Sequence, residues 1–365
     1  MRFAFAGYGH GADPRLVGGQ QGYLRRLASF LTSQGHHVDF LVLSEGGGEG
    51  GRVGARAEVH CYHHFADMAA RLETGPYSYV QLSRFPPKCY PPLVRYLKGR
   101  RRGVRHGYLY LVMPPSRAMR LVRMALFKLF YDLVIAVSPR LLSPLKRWGI
   151  NSFLLLPPIP GAYFQAGASR DSNREEILTV AYLGRIAADK GVQYLIEAFS
   201  QLEQRHEQVR PMIYGYYCPS SRASLGLHHC LEGQKGVEYA GVPYTGQRSC
   251  SLTMEDEVLP ILRATDILVL PYQSVAGVTL DVPMLLLEAM AAGCVVVTTA
   301  VGDLPAILGD DELIVRDGTI FETVSRLIDG GMIKAKGEAL RQRAIGYGVD
   351  METTGRKFLA GLSLD

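Results

Sequence analysis

The sequence lacks the marks of a secreted or membrane-spanning protein. Its first residues, Arg2–Gly7, have the pattern of a strand and lack the charged region, long apolar stretch and cleavage site of a signal peptide. No run of about 18 apolar residues occurs, so no transmembrane helix is expected. We therefore expect a cytoplasmic protein, whose contact with a membrane, if it has one, is peripheral at the inner face.

Cysteine is also scarce, and no two cysteines form a C-x-x-C pair. The nearest approach to a metal cluster is made by Cys218, His228, His229 and Cys230, whose spacing matches no zinc pattern. We expect no metal site and interpret all the thiols as reduced, which suits a cytosolic compartment. The six are Cys61, Cys89, Cys218, Cys230, Cys250 and Cys294.

Positive and negative charges are unevenly placed along the 365 residues. Residues 1–160 contain 22 Lys+Arg and 8 Asp+Glu, a net charge of +14, whereas the remainder contains 18 and 26, a net charge of −8. The first half is expected to meet an anionic partner, namely a membrane surface, a lipid phosphate or a nucleic acid. A solvated basic face is the competing interpretation. Nucleic acid is disfavoured, because no zinc-finger, RNA-recognition or helix-turn-helix signature occurs.

Short apolar strands alternate with amphipathic helices in both halves, which predicts parallel sheets covered on both faces. In the first half we predict strands at 2–6, 38–43, 57–62, 78–82, 108–113 and 132–138, and helices at 20–34 and 116–130. In the second half we predict strands at 177–184, 211–216, 237–240, 266–271 and 294–300, and helices at 190–204, 255–263, 283–292, 319–329 and 334–346.

The chain length and this pattern predict an α/β protein with two Rossmann-like, doubly wound domains. We place the first domain at 1–160 and the second at 177–345. A proline-rich and then polar linker is expected over 157–176. Residues 346–365 form a C-terminal tail that could pack back on the first domain.

The segment VAYLGRIAADKG at 180–191 is the strongest candidate for a ligand site. A strand ends at Gly184, and Arg185 and Lys190 follow at the carboxyl end of the sheet, where open α/β sheets bind ligands. An arginine fork and a lysine point charge together can neutralise a diphosphate. Two ordinary surface bases around a turn are the competing interpretation.

A second candidate is the helix that starts near Pro283. Proline suits the first helical turn, and the backbone N–H groups of Met284 and Leu285 are then available to a phosphate. One turn further on, Glu288 could accept hydrogen bonds from a ribose diol. A charged residue on such an apolar helix is uncommon, which favours function over local pairing.

These segments, in this order, resemble the retaining glycosyltransferase family 4, whose members have the GT-B fold. Four stretches carry the resemblance across nearly the whole chain: VGGQQGY at 17–23 with SQGHHV at 33–38, GRIAADKGV at 184–192, LEAMAAGCVVV at 287–297 and VGDLPAIL at 301–308.

The resemblance implies two domains facing across a cleft and transfer of a sugar from a nucleoside-diphosphate donor with retention and without a metal. The acceptor would be a glycan, a lipid-linked sugar or a small molecule, as in polysaccharide biosynthesis. No cofactor is expected, since the nucleotide sugar is a substrate. The implied donor contacts are Gly18, Gly19, Gly184, Arg185, Lys190, Ala240, Gly241, Met284, Leu285 and Glu288. Stabilising the departing diphosphate would be the main catalytic device.

The sequence departs from the family pattern at two places. The family often has a glutamate eight residues before the position of Glu288, where this chain has Leu280. Its neighbour Asp281 either replaces that glutamate as a catalytic residue or caps the following helix, and the two interpretations stand level. The family's histidine after a strand of the first domain is absent from residues 108–115, and His106 lies before that strand.

A dense run of basic residues at 95–105 precedes a predicted basic amphipathic helix at 116–130. We interpret Met119, Val122, Leu126 and Leu129 as its sheet-facing side, and allow an anionic membrane as a partner of the cationic cluster.

Two other functions compete with a transferase. A Rossmann oxidoreductase is the weaker, because the glycines after the first strand do not open a helix directly as the dinucleotide fingerprint requires. A non-catalytic nucleotide-binding protein on a degenerate GT-B scaffold is the stronger, given Leu280 and the missing histidine. Arg185, Lys190 and Glu288 argue against it.

Overall fold

The structure, a computed structural model, describes residues 1–365 except for 10–12, 17–18, 45–49, 84, 100–102, 112, 115, 170–176, 244–257, 275–281, 317–318 and 363–365. Its strands are β1 (Arg2–Tyr8), β2 (His37–Leu43), β3 (Gly51–Gly54), β4 (Ala57–Tyr62), β5 (Tyr79–Leu82), β6 (Arg105–Tyr110), β7 (Leu133–Ala136), β8 (Ser152–Leu154), β9 (Leu178–Arg185), β10 (Val209–Tyr217), β11 (Glu238–Pro243), β12 (Ile267–Leu270), β13 (Val295–Thr299) and β14 (Ile314–Val315).

The helices are α1 (Gly19–Ser33), α2 (Phe65–Thr74), α3 (Tyr90–Gly99), α4 (Arg117–Phe130), α5 (Pro139–Arg147), α6 (Gly161–Ala168), α7 (Gln193–Arg205), α8 (Arg222–Glu232), α9 (Val258–Ala264), α10 (Met284–Ala291), α11 (Leu304–Leu308), α12 (Ile320–Asp329), α13 (Ile333–Tyr347) and α14 (Met351–Gly361). Several begin at a side chain that accepts a backbone N–H, such as Ser116 for α4 and Ser138 for α5. Thr319 and Glu322 form a capping box at α12.

The chain divides into two units, each built on one predominantly parallel sheet. Among the described residues, 1–158 and 350–362 form the first unit, and 159–243 and 258–349 form the second. The predicted α/β fold class, with two parallel-sheet domains, is confirmed.

The first unit has an 8-stranded sheet in the order β3-β4-β2-β1-β5-β6-β7-β8. Neighbouring strands are parallel except the β3–β4 pair. Helix α14 packs against α1, and its Phe358 lies fully buried against the rings of Phe3 and Tyr79. The C-terminal helix thus completes the core of the first unit.

The second unit has a 6-stranded, all-parallel sheet in the order β11-β10-β9-β12-β13-β14. The chain starts at β9, runs to one edge through β10 and β11, and then returns to β12 and runs to the other edge. The strand order therefore reverses between β9 and β12. In open α/β sheets the crevice at the carboxyl ends of two such strands is where ligands bind.

Two local predictions are wrong. The stretch expected to be a linker contains helix α6, which begins after Pro160 and buries Tyr163 in the second unit. The predicted strand at 108–113 lies earlier, at Arg105–Tyr110, and so it includes His106.

The orientation predicted for α4 is also wrong. Its buried residues are Met124 and Phe127, because the Phe127 ring packs 4.8 Å from the ring of Tyr108 on β6. Three of the four residues expected to face the sheet are exposed instead, namely Met119 (52%), Val122 (60%) and Leu129 (71%). No helix in the described part of the chain is both long and apolar enough to span a membrane.

Candidate functional site

The loop after β9 meets the loop after β12 at the point where the strand order reverses. The backbone N–H of Gln273 donates to the carbonyl of Asp189 at 3.1 Å. Gly191, with φ +71°, packs so closely that a Cβ there would lie 1.8 Å from the carbonyl oxygen of Pro271. Only glycine satisfies both the left-handed backbone and this close approach. The two loops therefore form one surface.

The loop after β12 is held in turn by β13. The hydroxyl of Thr298 donates to the carbonyl of Leu270 at 2.6 Å, and the hydroxyl of Thr299 donates to the carbonyl of Tyr272. Two side-chain hydroxyls of β13 thus tie the backbone of this loop to the sheet. This anchoring fixes Tyr272, which is 7% exposed, beneath the loop after β9.

Arg185 and Lys190, which the sequence singled out, lie on either side of Asp189. Nη2 of Arg185 donates to both carboxylate oxygens of Asp189, at 2.8 and 3.0 Å. Nζ of Lys190 lies 3.7 Å from the same carboxylate and 4.6 Å from the centroid of the Tyr272 ring. One acidic group therefore positions two cations at the end of the sheet. Sequence reasoning missed Asp189, because an acid between two bases looks like ordinary surface composition.

The environment of Lys190 disfavours its charge. Burial lowers the pKa of Lys190, the Asp189 carboxylate opposes that shift, and the nearby Arg185 charge lowers the pKa further. An anion bound beside Lys190 would relieve this penalty by stabilising the ammonium form. The arrangement suits a phosphate group better than it suits an empty surface.

A hydroxyl group beneath the turn fixes the backbone at Arg185. The phenol of Tyr182, which is 1% exposed, donates to the carbonyl of Arg185 at 2.7 Å. Burial raises the pKa of Tyr182 well above its ordinary value, so the group remains a hydrogen-bond donor at neutral pH. Its oxygen lies 3.0 Å from where a Cβ at Gly184 would be, and Gly184 has φ +151°. Gly184 therefore makes room for this contact.

Glu288 belongs to the same end of the sheet. It lies on α10 and is 4% exposed. Burial raises the pKa of Tyr272, and the negative charges of Glu288 and Asp189 add to the shift. The phenol of Tyr272 is thus an electrostatic neighbour of both carboxylates. Tyr272 links the cationic pair to the buried acid of α10.

The amino end of α10 follows Pro283, which has no side chain able to cap it. The backbone N–H groups of Met284 and Leu285 lie in the first turn, where helices offer donors to anions. Both residues are half-buried. Leu280 and Asp281, on which the catalytic prediction depended, lie outside the described residues.

Three glycines form a row across adjacent strands of the second unit. Gly215 pairs in register with Gly184 on β9 and with Gly241 on β11. A Cβ at Gly215 would lie 2.2 Å from a carbon of the Ile186 side chain, and one at Gly241 would lie 2.1 Å from the Tyr239 hydroxyl. Side chains of the unit itself cover these glycines. Ala240, paired with Tyr214, is exposed on the edge strand.

Cys218 follows β10 directly and is a second feature that sequence reasoning set aside. A hydrogen bond with the Ser220 hydroxyl is the main cause that lowers the pKa of its thiol, and the positive charge of Arg185 contributes. The thiol therefore lies within the electrostatic reach of Arg185. His228, which the sequence grouped with Cys218, instead stacks on Tyr217 with ring centroids 3.7 Å apart and pairs with the Tyr239 hydroxyl.

The first unit has its own cavity, of about 260 Å³, at the carboxyl ends of β1 and β2. Its lining is Tyr8, Leu43, His63, His64, Phe65, Lys88, Cys89 and Pro92. Gly19, the first residue of α1, has open space around its Cα, and Gly18 lies outside the described residues. His106 is buried at the amino end of β6 and bonded to the Tyr96 hydroxyl at 2.7 Å. It is a core residue at the opposite end of its strand from a ligand site.

Residues 178–329 match the family model described as glycosyl transferases group 1. The matched segment lies within the second unit, and Arg185, Lys190 and Glu288 all fall in it. No curated protein sequence matches the chain.

Solved glycosyltransferase structures resemble the whole chain. Sucrose-phosphate synthase from Thermosynechococcus elongatus is 18% identical over 97% of each chain, with a TM-score of 0.71. HepE from Anabaena, solved in complex with UDP, is 14% identical over 100% of each chain, with a TM-score of 0.68. A glycosyltransferase from Rickettsia africae is 13% identical over 99% of this chain and 98% of that chain, with a TM-score of 0.67. The chain has the GT-B fold of these proteins.

Proposed function

We propose that this protein is a metal-independent, retaining glycosyltransferase of the family-4 type. It transfers a sugar from a nucleoside diphosphate to a glycan, a lipid-linked sugar or a small acceptor. The observation that carries the proposal is the convergence of Arg185, Lys190 and Glu288 at the reversal point of the second sheet. The group 1 domain match and the likeness to a UDP-bound structure support it. Action in the cytoplasm stays a prediction.

Each group has a defined role in the proposed reaction. The acceptor hydroxyl oxygen bonds to the anomeric carbon as the bond from that carbon to the phosphate oxygen breaks. The hydroxyl proton passes to the leaving nucleoside diphosphate, on which negative charge grows. Arg185 and Lys190 stabilise that charge, and donors aimed at developing charge are the largest single catalytic effect in many enzymes. Asp189 releases the Arg185 fork as the diphosphate takes its place. Glu288 accepts hydrogen bonds from the ribose, and the first turn of α10 adds backbone N–H donors.

The cavity of the first unit is our candidate for the acceptor pocket. Its imidazoles from His63 and His64 and the ammonium of Lys88 can bind hydroxyl groups or an acidic group of a sugar. Leu280 stands where the family often has a glutamate, and the family's histidine is absent from residues 108–115, so a non-catalytic nucleotide-binding protein is the second candidate. A turnover assay distinguishes the transferase from this candidate.

The first experiment is the thermal melting shift with UDP, GDP, ADP and dTDP. A matched nucleotide at 100 times its dissociation constant stabilises by about 2.7 kcal/mol, or roughly 5–11 °C for a unit of this size. Arg185→Ala and Lys190→Ala should lose the shift, and Arg316→Ala, a change of an exposed arginine in the same unit, should keep it. Absence of any shift in the wild type contradicts the proposal, and a shift by NADH instead supports the oxidoreductase.

Turnover is then tested with sugars of the matched nucleotide by following diphosphate release. Activity that survives EDTA supports metal independence, and the anomeric configuration of the product by NMR tests retention. Nucleotide binding without release of diphosphate from any donor supports the degenerate scaffold.

A further inference from the structure

Helix α4 exposes apolar side chains on the side away from its sheet. Its described outward stripe consists of residues at i, i+3, i+4, i+7 and i+11, which share one face of a helix. These are Ala118, Leu121, Val122, Ala125 and Leu129. Leu121, Val122 and Leu129 are 49%, 60% and 71% exposed. A row of large apolar side chains in water is costly and marks an interaction site when contiguous.

Positive charge borders this stripe. Arg117 and Lys128 fall along one flank of α4 and are exposed, and Met119 (52% exposed) extends the apolar surface on the other flank. Helix α3, which packs beside α4, contributes Arg95 and Lys98. The sequence from 74 to 131 contains 12 Lys+Arg and no Asp or Glu. The apolar stripe therefore lies in a stretch of the sequence that carries cations and contains no acidic residue.

We propose that the outward face of α4 binds an anionic lipid surface, with the apolar stripe entering the boundary between headgroups and acyl chains. A helix with apolar and basic residues in this arrangement lies in the plane of a membrane interface, where the cations meet lipid phosphates. Charge selects this occupant over a second copy of the chain, because two copies joined through this face would bring their basic regions together. The proposal stands independently of the transferase reaction, since it concerns the first unit alone.

The first test is cosedimentation of the full chain with vesicles of phosphatidylcholine, with and without phosphatidylglycerol. Binding should require the anionic lipid and weaken with salt. Each cation near such a surface contributes about fivefold in affinity, so Arg117→Ala with Lys128→Ala should weaken binding about 25-fold. The matched control is Lys146→Ala with Arg147→Ala, which removes the same charge from exposed positions of α5 in the same unit.

A second test reports insertion directly. The chain has one tryptophan, Trp148, which is partly exposed on the first unit. In a Trp148→Phe background, Val122→Trp should shift its fluorescence to shorter wavelength on anionic vesicles and be quenched by brominated lipids. Leu121→Ser with Leu129→Ser should abolish that response without loss of the folded far-ultraviolet circular dichroism spectrum, because both side chains are exposed.

Three results would overturn the proposal. Equal binding to neutral and anionic vesicles removes the role of charge. Equal weakening by the α5 control pair removes the role of this face. A dimer in analytical ultracentrifugation that Leu129→Ser dissociates, with no vesicle binding, assigns the stripe to a contact between two copies.

Discussion

Replacing Gly191 by alanine should destabilise the second unit by about 2–4.5 kcal/mol, whereas Gly331→Ala should cost only about 1–2 kcal/mol. Both glycines have left-handed backbones, with φ +71° and +60°. A Cβ at Gly331 meets open space, and a Cβ at Gly191 lies 1.8 Å from the Pro271 carbonyl oxygen. The pair of variants therefore shares the backbone cost and differs in the contact between the two loops.

The magnitude follows from what the contact holds together. The left-handed conformation costs an alanine about 1–2 kcal/mol at either position. To relieve the clash at Gly191, the loops must separate by at least about 1 Å. That separation breaks the Gln273–Asp189 backbone hydrogen bond, worth about 0.5–1.5 kcal/mol, and loosens Lys190 from the Tyr272 ring, worth about 0.5–1 kcal/mol.

The assay is urea denaturation followed by far-ultraviolet circular dichroism, with nucleotide affinity measured by calorimetry on both variants. Gly191→Ala should also weaken nucleotide binding, because it displaces Lys190, and Gly331→Ala should not. Equal free energies of unfolding for the two variants would refute the argument that the loops after β9 and β12 form one rigid surface.

Three further predictions concern charge. Nucleotide affinity should begin to fall at a lower pH than it would with a lysine of ordinary pKa, because the lowered pKa of Lys190 means that the ammonium group loses its proton at lower pH. A Lys190→Arg variant should show no such pH dependence in isothermal titrations across the same range. Cys218 should react with iodoacetamide faster than the buried Cys89, because its lowered pKa yields more thiolate. Peptide mass spectrometry measures both rates, and either Arg185→Ala or bound nucleotide should slow the reaction of Cys218. Asp39→Asn should cost about 1.5–3 kcal/mol in denaturation, because the buried carboxylate accepts hydrogen bonds from Arg2 and Tyr77. A loss of only about 0–1 kcal/mol, as for an exposed pair, would contradict this.

The alternation of strands and helices was predictable because buried parallel strands are continuous apolar runs and their covering helices are amphipathic. The pattern placed Arg185 and Lys190 correctly at the end of a strand. The sequence pattern could not show that Asp189 pairs with both Arg185 and Lys190, because the turn of the backbone after β9 brings the three side chains together. Nor could it show the row through Gly215, which depends on the register between strands.

The error at α4 has a different cause. The helix has apolar residues on two sides, and periodicity alone does not tell which side meets the sheet. The side of α4 that faces the sheet is the one that carries Phe127, because its ring packs against the rings of Tyr108 and Tyr110 on β6. The linker prediction was wrong because helix α6 begins directly after Pro160, and proline is as compatible with a helix start as with an irregular segment.

The position of α14 at the end of the described chain determines when each unit can finish folding during synthesis. Residues 1–158 emerge from the ribosome first, but the helix that covers Phe3 and Tyr79 arrives only with Phe358. At 5–20 residues per second, that delay is about 10–40 s. During it, the apolar surface later covered by Gly355 and Phe358 stays open to chaperones and to other nascent chains. The second unit is complete before the first, although it is encoded after it.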